Sequence, residues 1–193
     1  MTPRRPFRPG PPSRGRRRIP PRALPRVRRA LQRAHKAMEQ GHPAGAARIF
    51  HQLAEAATYQ QMPLRAARLT LEAAHAEALS GQEVAAVEHA GRALSEFARA
   101  GHVARIAPAA ERVVVALRNG GHEETADDVA QRLAAALKGG EAPPQHATAR
   151  GEGTRELPAK CFYCGGPVIP NELEWADEST AICAYCGSPV KPD

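Results

Sequence analysis

The four cysteines of the chain lie in its last 33 residues as two Cys-x-x-Cys pairs, Cys161 with Cys164 and Cys183 with Cys186. Eighteen residues separate the pairs, a spacing with which four thiolates form a closed tetrahedral zinc site. Such a shell leaves no coordination position for water. We therefore expect one structural Zn²⁺ and no catalysis at the metal.

Each pair opens a copy of the same phrase, Cys-x-Tyr-Cys-Gly-x-Pro-Val, at residues 161–168 and again at 183–190. The glycine that follows the second cysteine, Gly165 or Gly187, can take positive φ without a Cβ penalty. The proline two residues later holds the outgoing chain extended. The repeat predicts two matching turns around one ion.

Residues 160–193 resemble the zinc-ribbon family, through CFYCGG at 161–166 and CAYCGS at 183–188. Between these turns we predict a β-hairpin, in which Leu173 and Trp175 alternate with charged neighbours. A segment this short buries too little apolar surface to fold alone, so metal binding, worth about 10–16 kcal/mol, would supply its stability.

Four cysteines in two pairs also have other possible chemistry. Two disulfides would suit a secreted protein, but the N-terminus has no apolar signal region. A thioredoxin-like redox site expects one pair in a βαβ context. The phrase also resembles rubredoxin, so iron held by four thiolates stays open beside zinc, as does redox chemistry.

The net charge of +7 is unevenly distributed. Residues 1–29 hold eleven arginines and no acidic residue, whereas residues 160–193 carry a net charge of −3. We expect residues 1–23 to form a disordered Arg/Pro-rich tail. This tail is either an electrostatic arm for nucleic acid or a solubilising segment.

Residues 24–138 have the pattern of a mostly α domain. Turn signals recur every 20 residues and predict six helices of roughly 15–18 residues in antiparallel hairpins. Two apolar stripes support the pattern. They comprise Leu64, Ala67, Leu71, Ala74 and Ala78 on one helix, and Val84, Val87, Leu94 and Phe97 on the next.

Aligning Gly41, Gly81 and Gly121 gives a 40-residue period, and Ala46, Ala86 and Ala126 then coincide. Through the stretch from Ala74 to Leu94, the region resembles the tetratricopeptide (TPR) repeat family. The resemblance implies a helical repeat domain that binds protein, and a compact six-helix bundle is the alternative. Pro108 either kinks the fifth helix or marks its start.

Residues 139–159 are expected to be a flexible linker that lets the 160–193 ribbon move independently. No apolar run approaches the ~18 residues that a membrane span needs, so we expect no membrane segment. High alanine and arginine content without a targeting signal predicts a bacterial cytoplasmic protein.

The sequence predicts no catalytic residue, no cofactor-binding residue beyond the metal ligands and no small-molecule substrate, because no phosphate loop, nucleotide fingerprint or nucleophile motif occurs. His35 and His75 would face the concave side of a TPR-like stack, near Arg28, Arg68 and Arg118. They form either a basic groove for an acidic peptide or merely solvated surface.

Two functions follow. The first is a non-catalytic protein-interaction adaptor, in which the helices bind one protein partner and the ribbon docks another. The alternative is a nucleic-acid-associated regulatory protein that uses the arginine-rich N-terminal arm.

Overall fold

A computed structural model describes residues 23–139, 157–170, 173–176 and 180–191. Residues 1–22 of the predicted tail and residues 140–156 of the predicted linker lie outside these residues. The described chain is mostly helical, with six α-helices, one short 3₁₀ turn and a small β-sheet. In order they are α1 (Leu24–Glu39), α2 (Pro43–Tyr59), α3 (Pro63–Leu79), α4 (Glu83–Arg99), the 3₁₀ turn (Val103–Arg105), α5 (Ala107–Asn119), α6 (Glu123–Gly139), β1 (Glu174–Trp175), β2 (Ala181–Ile182) and β3 (Pro189–Val190).

The turns at the predicted 20-residue interval end the helices by one mechanism. Gly41, Gly81, Gly101 and Gly121 all have φ between 70° and 81°, the left-handed conformation that caps a helix C-terminus at little cost for glycine. The amide after each glycine donates back to the last helical turn, as from Gln82 to the carbonyl of Glu77. Gln61 occupies the same position with φ of 57°.

Helix α3 is the centre of the molecule, because it contributes to two separate hydrophobic cores. Ala66, Leu69, Ala73 and Ala76 face α1, α2 and the C-terminal residues. The predicted stripe lies on the other face, where Ala67, Leu71, Ala74 and Ala78 are buried with Leu64 beside them. The aligned Ala46, Ala86 and Ala126 are all fully buried.

Helix contacts connect sequential neighbours, and in addition α3 packs on α5 and α4 on α6. These contacts stack the helical hairpins, and the predicted mostly α fold is confirmed. Two details differ from expectation. Val84 is 75% exposed and lies outside the α4 stripe. Helix α5 begins at Ala107 with Pro108 in its first turn, so this proline starts a shorter helix of 13 residues and does not kink one.

The C-terminal residues form a small antiparallel sheet in the order β1-β2-β3. The predicted hairpin is present, with Trp175 paired to Ala181. Leu173 is buried, whereas Trp175 is 49% exposed. We call the described residues from 157 to 191 the four-cysteine module. Within the described part of the chain, no helix has the length and apolarity to cross a membrane.

Candidate metal centre and its interface with the helices

The two cysteine turns have the same backbone geometry. Gly165 has φ of 73° and Gly187 has φ of 70°, as the repeated phrase predicts. The amide of Gly165 donates to the carbonyl of Cys161 at 2.8 Å, and that of Gly187 to the carbonyl of Cys183 at 2.9 Å. Each turn therefore aims its two thiols at a common point.

The four thiols meet in a buried cluster. Sγ of Cys161 lies 3.8 Å from Sγ of Cys186, and Sγ of Cys164 lies 3.7 Å from Sγ of Cys183. All four atoms are within 4.8 Å of one another. A disulfide needs about 2.05 Å, whereas four sulfurs held about 2.3 Å from a tetrahedral ion are about 3.8 Å apart. The cluster therefore fits a metal ion such as zinc and does not contain disulfides.

A buried arginine next to the cysteine cluster also favours a metal site made of four thiolates. Arg65 is largely buried, and burial lowers the pKa of its guanidinium, while the nearby thiols of Cys186 and Cys183 act in the opposite direction. Its Nη2 has no hydrogen-bond partner among the described atoms. A divalent ion with four thiolates has a net charge of −2, and a neighbouring guanidinium stabilises that charge.

A second contact connects the cysteine cluster to α1. Oγ of Ser188 lies 3.0 Å from Sγ of Cys186 and accepts hydrogen bonds from Nε and Nη2 of Arg28 at 3.1 and 2.8 Å. A metal-bound thiolate can only accept a hydrogen bond, so the Ser188 hydroxyl would donate to it. Arg28 thereby holds the Ser188 hydroxyl next to the sulfur of Cys186.

The four-cysteine module packs directly on the helices. Its cysteines, Val168, Tyr185 and Val190 belong to one core cluster together with Leu31, Phe50 and Leu69 from α1, α2 and α3. In the described arrangement the module is thus packed on the helices, whereas independent movement on the linker of residues 139–159 stays a prediction, because residues 140–156 lie outside the described part of the chain. The small size of the module explains this packing, because so short a segment buries little apolar surface within itself and gains stability by burying more against the helices.

Tyr185 lies at the centre of this interface and is fully buried. Its hydroxyl accepts from Nη2 of Arg68 at 2.7 Å and donates to Oε1 of Glu72 at 2.9 Å. Glu72 also pairs with Nη2 of Arg112 at 2.8 Å and with Arg68 at 3.4 Å. The tyrosine thus enters a buried network of charges formed by α3 and α5.

The network keeps its charges in spite of burial. Desolvation alone would raise the pKa of the Glu72 carboxyl, but Arg68, Arg112 and the Tyr185 hydroxyl outweigh it and the pKa is lowered. Burial, with Glu72 nearby, raises the pKa of Tyr185 far above its ordinary value. The carboxylate therefore stays ionised and the phenol stays protonated across the physiological range.

The interface explains why the two turns differ at one position. Ser188 occupies the place that Gly166 has in the first turn. A Cβ atom on Gly166 would lie 2.7 Å from the Tyr185 ring and 3.0 Å from Nε2 of His35, which is closer than van der Waals contact allows. The Tyr185 and His35 rings meet edge to face at a centroid distance of 5.1 Å. Glycine is therefore required here by packing.

The residues predicted to line a concave groove divide into two groups. Arg28, His35 and Arg68 contact the four-cysteine module, and Tyr185 occupies the space beside them. His75 lines both an opening of about 310 Å³ beside the module and a neighbouring groove of about 400 Å³ between α3 and α5. Arg118 instead pairs with Asp127 on α6 at 2.9 Å.

Arg65, Glu72 and Tyr185 lie at the cysteine cluster or its interface with the helices, and the sequence did not predict them there. Glu72 and Arg68 carried a usable signal, because they are an i, i+4 charged pair in a helix whose other faces are apolar. Tyr185 carried none, because Tyr163 holds the equivalent place in the first phrase and is 37% exposed.

Comparisons with protein-family models, with curated proteins and with solved structures found no match to this chain. The likeness to zinc ribbons and to TPR repeats therefore remains a prediction from the residues, while the cysteine cluster and the stacked helices are properties of the structure itself.

Proposed function

We propose that the protein is a non-catalytic protein-interaction adaptor, in which a structural Zn²⁺ in the four-cysteine module holds a docking surface rigidly on the helical domain. The zinc assignment rests on the Sγ separations of 3.7 and 3.8 Å and on the all-thiolate donor set. Cys161, Cys164, Cys183 and Cys186 would hold the ion, whose contribution would be stability and not chemistry.

The exposure of Phe162 is the observation on which the adaptor proposal rests. Its side chain is 90% exposed although it lies between two buried ligands, Cys161 and Cys164. The metal would thus fix the backbone that carries a large, solvent-exposed apolar ring, which lowers the ordering cost of binding a partner. Aromatic side chains presented in this way are typical anchors of protein–protein interfaces.

A second surface fits a second partner contact. The groove of about 400 Å³ between α3 and α5 has Leu79 and Val115 on its walls, and these residues are 49% and 55% exposed. Arg112 and His75 lie at the end next to the module. Arg112 already pairs with Glu72, and Glu111 also lines the groove, so its apolar walls favour an apolar side chain of a partner peptide.

Crosslinking in cells of the source organism, followed by affinity purification of the zinc-loaded chain, tests the adaptor proposal. Phe162→Ser should lose a specific partner that the wild type recovers. Tyr59→Ser is the matched control, because Tyr59 is an aromatic residue on α2 with 91% exposure. Recovery of no specific partner by the wild type, or an equal loss with both variants, would contradict the proposal.

The alternative function rests on the charge of the N-terminal arm, with eleven arginines in residues 1–29. If the arm binds nucleic acid, affinity should fall steeply with salt and disappear when residues 1–23 are deleted. Absence of binding at low salt would eliminate this candidate.

A further inference from the structure

A second group of metal-ligand side chains lies at the junction of α2, α3 and α4. It consists of His51, Glu77 and His89, one from each helix. None of them touches the cysteine cluster or enters the proposed adaptor function. We call them the His-Glu-His cluster.

Two of the three residues replace apolar core residues of the helical array. At the 20-residue interval, the places equivalent to Glu77 in the other helices are all apolar, and four of the five places equivalent to His89 are apolar, the exception being Arg29. These equivalents are Ala37, Ala57, Phe97, Leu117 and Leu137 for Glu77, and Arg29, Ile49, Leu69, Ala109 and Val129 for His89. Burying polar groups at such places costs stability unless they have partners.

The geometry converges on the carboxylate. The Glu77 side chain is only 6% exposed, and the two histidines are 31% and 20% exposed. Nε2 of His51 lies 2.7 Å from Oε1 of Glu77, and Nδ1 of His89 lies 2.8 Å from Oε2. The imidazole rings meet at a centroid distance of 4.4 Å. Each carboxylate oxygen thus has its own ring nitrogen, and the histidines reach solvent.

We propose that the His-Glu-His cluster is a second metal site, which binds a divalent cation of the Zn²⁺, Co²⁺ or Ni²⁺ class. Two imidazoles and one carboxylate are a donor set that these ions prefer over Mg²⁺ and Ca²⁺. The partly exposed histidine edges leave further coordination positions open to water. The bound ion is therefore exchangeable, unlike an ion enclosed by four thiolates.

The separations agree with an ion after a small adjustment. Ligand atoms about 2.1 Å from a metal are about 3.0 Å apart in cis octahedral geometry and about 3.4 Å apart in tetrahedral geometry. Each of the two contacts, of 2.7 and 2.8 Å, would have to open by about 0.2–0.7 Å. Because the two nitrogens face different carboxylate oxygens, the ion would be held by both oxygens of Glu77, or the carboxylate would turn to offer one. Without the ion, each ring donates its N–H to the carboxylate. On binding, the proton on that nitrogen moves to the other ring nitrogen or to solvent.

Metal stoichiometry of the folded full chain tests the proposal. The zinc-loaded protein is dialysed against a weak chelator, which leaves the thiolate-bound ion in place, and is then titrated calorimetrically with Zn²⁺. The wild type should bind one further equivalent, giving two ions per chain. The double variant His51→Gln/His89→Gln should bind none, and His42→Gln, an exposed turn histidine, should behave as the wild type.

Glu77→Gln is a second variant for the case that loss of both histidines unfolds the chain. It keeps the size and the hydrogen-bonding capacity of the buried side chain. Its affinity for the further equivalent should fall on the order of tenfold or more, with an unchanged circular dichroism spectrum. Two results would overturn the proposal: a wild type that takes up no further zinc, or a double variant that still takes it up. The three residues would then only connect α2, α3 and α4 through hydrogen bonds.

Discussion

Removal of one hydroxyl group from the buried interface should weaken the whole fold. In Tyr185→Phe the ring remains, so the packing against His35 is kept, but Arg68 and Glu72 each lose a hydrogen bond of 2.7 or 2.9 Å. Hydrogen bonds to charged groups contribute about 1.5–3 kcal/mol each, and a buried group left without one loses its solvation as well. Glu72 still has the guanidinium of Arg112 at 2.8 Å, which limits the loss.

We therefore expect Tyr185→Phe to lower the free energy of unfolding by about 2–3 kcal/mol, a fall in Tm of about 5–10 °C for a chain of this length. The assay is chemical denaturation of the zinc-loaded full chain, followed by far-UV circular dichroism. Metal analysis before each run should show the same zinc content as in the wild type.

The matched control is Tyr163→Phe, at the equivalent place of the first turn. The Tyr163 ring packs under the guanidinium of Arg28 at 4.2 Å and is part-exposed, and phenylalanine keeps that contact. Its effect should stay below about 0.5 kcal/mol. A Tyr185→Phe protein as stable as the wild type, or a Tyr163→Phe protein equally weakened, would refute the reasoning.

Four further outcomes follow from the structure. Removal of the metal with a strong chelator should loosen α1 and α2 together with the module, because they share one core, while hydrogen exchange in α4 to α6 stays slow; equal exchange everywhere would contradict the two-core description. Gly166→Ala should cost about 1–3 kcal/mol in thermal denaturation through its clash, whereas Gly45→Ala, with open space around it, should cost nothing. Gln61→Gly should raise the free energy of unfolding by about 0.5–1 kcal/mol, because Gln61 has positive φ and glycine adopts this conformation without strain. Gly81→Ala, which puts a Cβ at another position of positive φ, should lower the free energy of unfolding. A change of the same sign in both variants would be inconsistent with this explanation. Burial lowers the pKa of His35 below 6.5, so the unfolded chain binds a proton that the folded chain does not, and stability should fall as pH drops below about 6.5. His35→Leu should reduce this loss of stability when denaturation is compared at pH 5.5 and 7.5. An unchanged pH dependence in the variant would exclude His35 as its source.

The helices and the cysteine turns were predictable because short-range signals determine them. A glycine with positive φ ends the helix at four of the five 20-residue intervals, and Gln61 takes the same conformation at the fifth. A proline lies in the first turn of α2, α3 and α5. Likewise, the spacing of Cys161, Cys164, Cys183 and Cys186 brings the thiols together with little help from the rest of the chain.

The interface was not predictable, because it depends on contacts between residues more than 100 positions apart. Arg68 and Tyr185 are separated by 117 residues, and no local pattern connects them. The exposure of Val84 was missed for a related reason. Its place on the α4 stripe depends on which neighbours cover the first turn of that helix, and periodicity alone does not supply that information.

The near-identity of the two cysteine turns conceals a division of roles that only their surroundings create. The second turn faces the helices, where Tyr185 enters the charged network and Ser188 connects a ligand to Arg28. The first turn exposes Phe162 to solvent. It contacts the helices through Gly166, which must be small for Tyr185 to fit, and through Tyr163, whose ring lies under the Arg28 guanidinium. Since one ion would hold both turns, a partner bound at Phe162 would be connected to Tyr185 and α3 through the metal. The same partner would also be connected to α1 through the direct packing of Tyr163 and Gly166, so the module and the helices respond to it together.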